Sequence, residues 1–104
     1  MTHFLASVRC AAEAELVLAA GADIVDLKEP DRGALGAVAP DVSRDCLKAI
    51  GGRKPVSATV GDLPMTPDTV ADAVMATASL GVDTVKLGIQ PGGDASGCFD
   101  ALNG

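Results

Sequence analysis

Three ionisable side chains stand inside two short apolar segments that otherwise read as buried strands. Asp26 and Lys28 belong to the segment Asp23–Lys28, and Lys86 belongs to the segment Asp83–Gly88. Strands covered on both faces are nearly all apolar, so charged residues inside them indicate a site. Two amines and a carboxylate suit Schiff-base chemistry on a carbonyl compound: one amine forms the imine, a second moves a proton, and the acid positions them.

The period of two along a strand predicts which face carries these candidates. Asp26 and Lys28 share one face of the second strand, and Ser57 and Thr59 share the inward face of the third. Alternate strands of a barrel contribute to the same interior layer, so we expect Asp26 and Lys86 in one layer, with Lys28 above them. The plain structural alternative is an Asp26 to Lys86 ion pair that only fills the interior.

Two arginines and a glycine-rich turn are candidates for binding an anionic substrate. Arg9 ends the first strand, and Arg32 lies in the loop after the second, where both can meet phosphates. The segment Gly33–Gly36 can offer backbone N–H groups to an anion. Solvent exposure of the arginines and an ordinary turn are the alternatives. The predicted catalytic residues are Asp26, Lys28 and Lys86, and the predicted substrate-binding residues are Ser57, Thr59, Arg9 and Gly33.

Four strand-like segments, each followed by turn residues and a helical period, position these candidates. We expect strands at 3–8, 23–28, 55–60 and 83–88, and helices at 10–20, from 40, from 67 and at 98–104. The segments GADIVDLK and GVDTVKLG, which begin at Gly21 and Gly81, resemble each other and place Asp26 and Lys86 at equivalent positions. The pattern predicts an α/β protein with repeated βα units.

Composition excludes several classes of function. The net charge is −6, and the sequence lacks an uncharged apolar stretch long enough to span a membrane, so we expect neither nucleic acid nor membrane as partner and a cytoplasmic location. The three cysteines are widely spaced and there is one histidine, His3, which predicts inert thiols and no metal site.

Three stretches together resemble the (5-formylfuran-3-yl)methyl phosphate synthase family of methanofuran biosynthesis. They are GADIVDLKEPDRGALGA (residues 21 to 37), VSATVGDLP (56 to 64) and GVDTVKLGI (81 to 89). The resemblance implies a lyase that condenses two molecules of glyceraldehyde 3-phosphate, releases phosphate and water, and needs no cofactor. It implies that Lys28 forms the Schiff base and that Lys86 accepts a proton.

The same resemblance implies a (β/α)₈ barrel of the TIM type. Family members have four further strands, so residues 1–104 are expected to form the N-terminal half of the catalytic domain, with the first four βα units. The loops that usually bind phosphate in such barrels follow strands seven and eight.

Two alternatives remain open at this point. Asp26, Lys28 and Asp31 spell the DxKxxD pattern of the orotidine-monophosphate decarboxylase superfamily, in which Asp and Lys form a charge array without a Schiff base. The other alternative is a non-catalytic half-barrel that associates with itself through unpaired edge strands, and a homo-oligomer is compatible with either enzyme.

Overall fold

Short parallel strands alternate with helices along the chain. The structure, a computed structural model, describes residues 2–32, 36–61, 63–88 and 93–103. The strands are β1 (Leu5–Val8), β2 (Ile24–Leu27), β3 (Val56–Thr59) and β4 (Thr84–Lys86); the helices are α1 (Ala11–Ala19), α2 (Pro40–Ile50), α3 (Pro67–Ala78) and α4 (Ala95–Asn103), with a 3₁₀ turn at Pro30–Arg32.

The four strands form one sheet in the order β1-β2-β3-β4, and every neighbouring pair is parallel. The α/β prediction is therefore confirmed. Each strand lies within its predicted segment and is shorter than predicted, because pairing stops where the chain enters its loops. One consequence concerns the site: Lys28 lies immediately after β2, whereas Lys86 is the last residue of β4.

The two faces of the sheet differ in chemistry because side chains alternate along each strand. One face is apolar and packs against the helices; Val25 and Leu27 of β2 are at most 1% exposed there. Burying a side chain of this size contributes roughly 1.5–3 kcal/mol. The other face carries the polar side chains that alternate with them. The core on the helix side consists of Val8, Ala14, Val25, Leu27, Cys46, Ile50, Val56 and Ala58.

A repeated turn joins α1 to β2 and α3 to β4. Gly21 and Gly81 follow the two helices with φ of 93° and 99°, a region that favours glycine. Two residues later an aspartate accepts a backbone hydrogen bond at the start of the neighbouring strand: Phe4 N, just before β1, donates to Asp23 Oδ2 at 2.6 Å, and Val56 N, the first of β3, donates to Asp83 Oδ2 at 2.8 Å. The sequence repeat thus corresponds to one recurrent join, which we call the aspartate clasp.

The last helix begins earlier than predicted. We expected α4 at 98–104, but it spans Ala95–Asn103. Asp94 supplies the start, because its Oδ1 accepts a hydrogen bond from Gly97 N at 2.9 Å, which satisfies a helix-end donor. The starts of α2 at Pro40 and α3 at Pro67, after Thr66, are as predicted.

Candidate active site

A row of polar residues crosses the face of the sheet opposite the helices. The strand register sets Ser7 of β1 beside Asp26 of β2, and Asp26 beside Ser57 of β3. Ser7 Oγ donates to Asp26 Oδ2 at 2.9 Å, and Ser57 Oγ donates to Asp26 Oδ1 at 2.7 Å. Asp26 is fully buried. Each carboxylate oxygen therefore has a hydroxyl donor, which is what a buried carboxylate requires.

Lys86 supplies the positive charge for this carboxylate. Its Nζ lies 2.9 Å from Asp26 Oδ2, and its side chain is 36% exposed. Lys86 is opposite Thr59 in the register, whereas Asp26 is opposite Ser57, so along the ladder the two are one inward position apart. The predicted partners do meet, and the lysine's length spans the difference in level. The pair is a charge-assisted contact with one buried and one accessible end.

Lys28 is placed differently. It is partly buried, one residue beyond β2, and its backbone N donates to Val8 O at 3.1 Å. It lies two positions after Asp26, so strand alternation assigns both to the same face. Within residues 2–32, 36–61, 63–88 and 93–103, its ammonium forms no ion pair, whereas that of Lys86 does. An amine without a counterion is the better starting point for a nucleophile.

Thr59 has a role that the sequence did not indicate. It is 2% exposed, and its hydroxyl donates to Gly36 O at 2.8 Å. Glu29 N donates to the same carbonyl oxygen at 2.8 Å, so Gly36 closes the loop that follows β2. A Cβ at Gly36 would collide with the carbonyl oxygen of Glu29, which explains the glycine. Thr59 fixes the loop after Lys28, and its predicted contact with substrate stays a prediction.

Arg9 lies among carboxylates at the edge of this region. Its Nη1 lies 3.4 Å from Asp31 Oδ2 and 3.8 Å from Glu29 Oε2, and its Nε lies 3.9 Å from Glu13 Oε1. The side chain is 46% exposed, as the solvent-exposed alternative for this arginine anticipated. Three acidic neighbours compete with any phosphate for the guanidinium. Its role in phosphate binding stays a prediction, as does that of Gly33, which lies outside the described residues.

Ser7 is the functional candidate that sequence reasoning missed. Serine is common in strands and carries no charge, so its type gives no signal. Its position did offer one: it lies one residue before Val8, the last residue of the first predicted strand and a core residue, so alternation puts it on the polar face, and the register sets it beside Asp26. Which residue of β1 lies beside Asp26 depends on how two distant segments pair, and the sequence alone does not give that pairing.

The thiols stand apart from the polar face. Cys10, Cys46 and Cys98 are free, and Cys46 is fully buried in the helix-side core. Burial raises the pKa of the Cys46 thiol to about 11, with smaller contributions from the neighbouring Cys10, Asp45 and Glu13, so at neutral pH this thiol is protonated and unreactive. In the part of the chain that the structure describes, no helix is long and apolar enough to cross a membrane.

Comparison with known proteins shows which family this chain resembles. The model of the 4-HFC-P synthase family matches residues 4–104. A (5-formylfuran-3-yl)methyl phosphate synthase of Methanopyrus kandleri is 48% identical over 69 residues, 66% of this chain and 29% of the relative. One of Methanosarcina acetivorans is 44% identical over 77 residues, 74% of this chain and 33% of the relative. One of Methanococcus maripaludis is 40% identical over 85 residues, 82% and 36% respectively. The chain thus spans about a third of the length of these curated relatives.

Proposed function

Because the chain belongs to the 4-HFC-P synthase family, whose name describes an enzyme, we propose that the protein makes (5-formylfuran-3-yl)methyl phosphate. In this proposal two molecules of glyceraldehyde 3-phosphate condense with release of phosphate and water, through a Schiff base on Lys28. The contrast between the two lysines carries the proposal: Lys86 is paired with a fully buried carboxylate, and Lys28 forms no ion pair within the described ranges.

The pairing suggests an order of proton transfers. The amine of Lys28 adds to the aldehyde carbon of the first triose phosphate and forms a carbinolamine. Lys86, held as an ammonium by Asp26, gives a proton to the carbinolamine hydroxyl, which leaves as water, and a protonated imine (an iminium ion) remains. The amine of Lys86 is then neutral and takes a proton from the carbon next to the imine. The resulting enamine attacks the aldehyde carbon of the second triose phosphate.

The position of Asp31 supports this proposal over a charge array. In the DxKxxD alternative, Asp31 is the third charged member beside Lys28. Asp31 instead lies against Arg9, with a side chain that is 82% exposed, on the 3₁₀ turn. An exposed carboxylate turned to an arginine contributes little to a desolvated array of alternating charges. The observation favours Schiff-base chemistry.

A closed (β/α)₈ barrel is the architecture we propose for the full polypeptide. Successive parallel strands in the order β1-β2-β3-β4 are what such a barrel has in its first half. Ser7, Asp26 and Ser57 alternate with the core and lie on the face opposite the helices, where a barrel has its interior. The strand ends that carry Lys28 and Lys86 would then line its mouth, where barrel enzymes have their active sites.

Borohydride trapping tests the imine directly. The full-length enzyme is incubated with glyceraldehyde 3-phosphate and sodium borohydride, and peptides are analysed by mass spectrometry. We expect a reduced triose phosphate adduct on the peptide that contains Lys28 and its loss in Lys28→Arg. Lys48→Arg, which changes an exposed lysine of α2, is the matched control and should trap normally. An active enzyme that gives no adduct would support the charge array, and an adduct on Lys86 would exchange the two roles.

A further inference from the structure

The proposed reaction assigns no role to the hydroxyls of Ser7 and Ser57, although both contact the carboxylate of Asp26. They come from β1 and β3, the two strands that flank Asp26, and they approach different oxygens at 2.9 and 2.7 Å. Ser57 is 5% exposed, and Asp26 is fully buried. A lysine alone would satisfy one lone pair of this carboxylate and leave the others buried without donors.

We propose that Ser7 and Ser57 are positioning residues that fix the carboxylate of Asp26 and regulate how firmly it holds the proton of Lys86. The expected effect on turnover rests on the proposed function. The expected effect on the proton of Lys86 does not, because it follows from the hydrogen bonds alone. Two hydroxyl donors on opposite oxygens prevent the carboxylate from rotating. They also direct the positive ends of their dipoles at it, which weakens its attraction for the ammonium.

Ser7 is the more informative of the two because it shares an oxygen with Lys86. Both Ser7 Oγ and Lys86 Nζ lie 2.9 Å from Asp26 Oδ2. Donors that share one oxygen compete for its charge. Loss of the Ser7 hydroxyl therefore leaves Lys86 as the sole donor to Oδ2 in the contacts described, with a stronger hold on its proton. A proton that must leave Lys86 in each turnover then leaves more slowly.

Among the described residues, few charged groups lie around the pair of Asp26 and Lys86. On the polar face, β2 and its end contribute Asp26 and Lys28, and β4 contributes Lys86; β3 contributes only the hydroxyls of Ser57 and Thr59. At the end of β1 lies Arg9, engaged with three carboxylates.

Competitive labelling tests the inference without reference to activity. The full-length protein, free of substrate, is treated with a trace of acetic anhydride at several pH values, and acetylation of Lys86 is measured by mass spectrometry relative to exposed Lys48. We expect Ser7→Ala to slow labelling of Lys86 about threefold, a modest part of the tenfold or more that a full charged hydrogen bond represents. Ser7→Thr, which keeps the hydroxyl, should label like the wild type. An unchanged ratio of Lys86 to Lys48 labelling in Ser7→Ala overturns the inference.

Kinetics supply a second measurement. In Ser7→Ala we expect kcat to fall about tenfold with KM within about twofold, and the alkaline limb of the kcat/KM profile, where the proton donor is lost, to move to higher pH. Ser7→Thr should restore both. A fall in kcat with an unmoved pH profile, accompanied by a lower melting temperature, would reduce Ser7 to a structural residue. If the wild type neither traps triose phosphate nor turns it over, the proposed function fails, while the labelling result still decides the role of Ser7.

Discussion

Lys28 and Lys86 end alternate strands of the same sheet and have opposite surroundings. At the end of β4, Lys86 reaches a fully buried carboxylate that two serines already hold. At the end of β2, Lys28 is followed by a loop pinned at Gly36, and no described residue forms an ion pair with it. Identical side chains thus have different electrostatic partners among the described residues. The difference teaches that the surroundings of each lysine are set by the side chains beneath it, and those of Lys86 by Asp26 above all.

Removing the charge of Asp26 should abolish this difference and have the largest effect. Asp26→Asn keeps the shape but leaves Lys86 without its counterion. We expect kcat to fall about a hundredfold, since the proton donor is no longer held in place. The free energy of unfolding should fall by about 1–3 kcal/mol, because a buried amide must now serve two hydroxyls and an ammonium.

Steady-state kinetics and urea denaturation measure these two losses. The control is Asp45→Asn, which changes an exposed aspartate of α2 and should leave both quantities unchanged. Wild-type kcat in Asp26→Asn would mean that the ion pair only fills the interior.

A change at Thr59 tests what holds the loop that follows Lys28. Thr59→Val keeps the volume and removes the hydroxyl that donates to Gly36 O. We expect a loss of about 1 kcal/mol in unfolding free energy, the usual cost of one buried hydrogen bond. Amide hydrogen exchange in the loop after β2 should quicken. Thr84→Val, at an exposed position of β4, is the matched control. Equal exchange in the two variants would contradict the loop-fixing role.

The smallest effect is expected at Arg9, which follows β1 and contacts neither lysine in the described ion pairs. Arg9→Ala removes exposed ion pairs and should change the unfolding free energy by no more than about 0.5 kcal/mol. We also expect the KM for triose phosphate to stay within about twofold, because three carboxylates already face the guanidinium. A rise in KM of tenfold or more at constant kcat would instead establish Arg9 as a phosphate ligand.

Much of the framework could be predicted from local patterns. Apolar runs and helix-ending glycines indicated the order of strands and helices, and alternation placed Asp26 on a polar face that Lys86 also reaches. These features depend on residues a few positions apart. The internal repeat placed Asp26 and Lys86 at equivalent positions, and in the structure their side chains form an ion pair.

The remaining features depend on which distant segments become neighbours. Ser7 contacts Asp26 only through the register of β1 on β2, and Thr59 finds Gly36 only when the loop after β2 folds back over β3. The acidic neighbours of Arg9 come from α1, from the residue before the 3₁₀ turn and from the turn itself, and no sequence period encodes how these segments are placed. Hydroxyls bond whatever acceptor tertiary structure brings near, so their roles were not visible beforehand.

The aspartate clasp has a consequence for the chemistry at the far end of the sheet. Asp83 lies three residues before Lys86, about 10 Å along the strand. A slip of one residue there would rotate every later side chain to the other face and turn Lys86 toward the helices. Asp83 lies just before β4 and accepts a hydrogen bond from the backbone of Val56 in β3. This bond sets the register of β4 on β3 and therefore the face on which Lys86 lies. Asp23 does the same for Asp26. The alignment of Asp26 and Lys86 on the polar face is thus set at the opposite ends of their strands, by hydrogen bonds that lie outside the polar row itself.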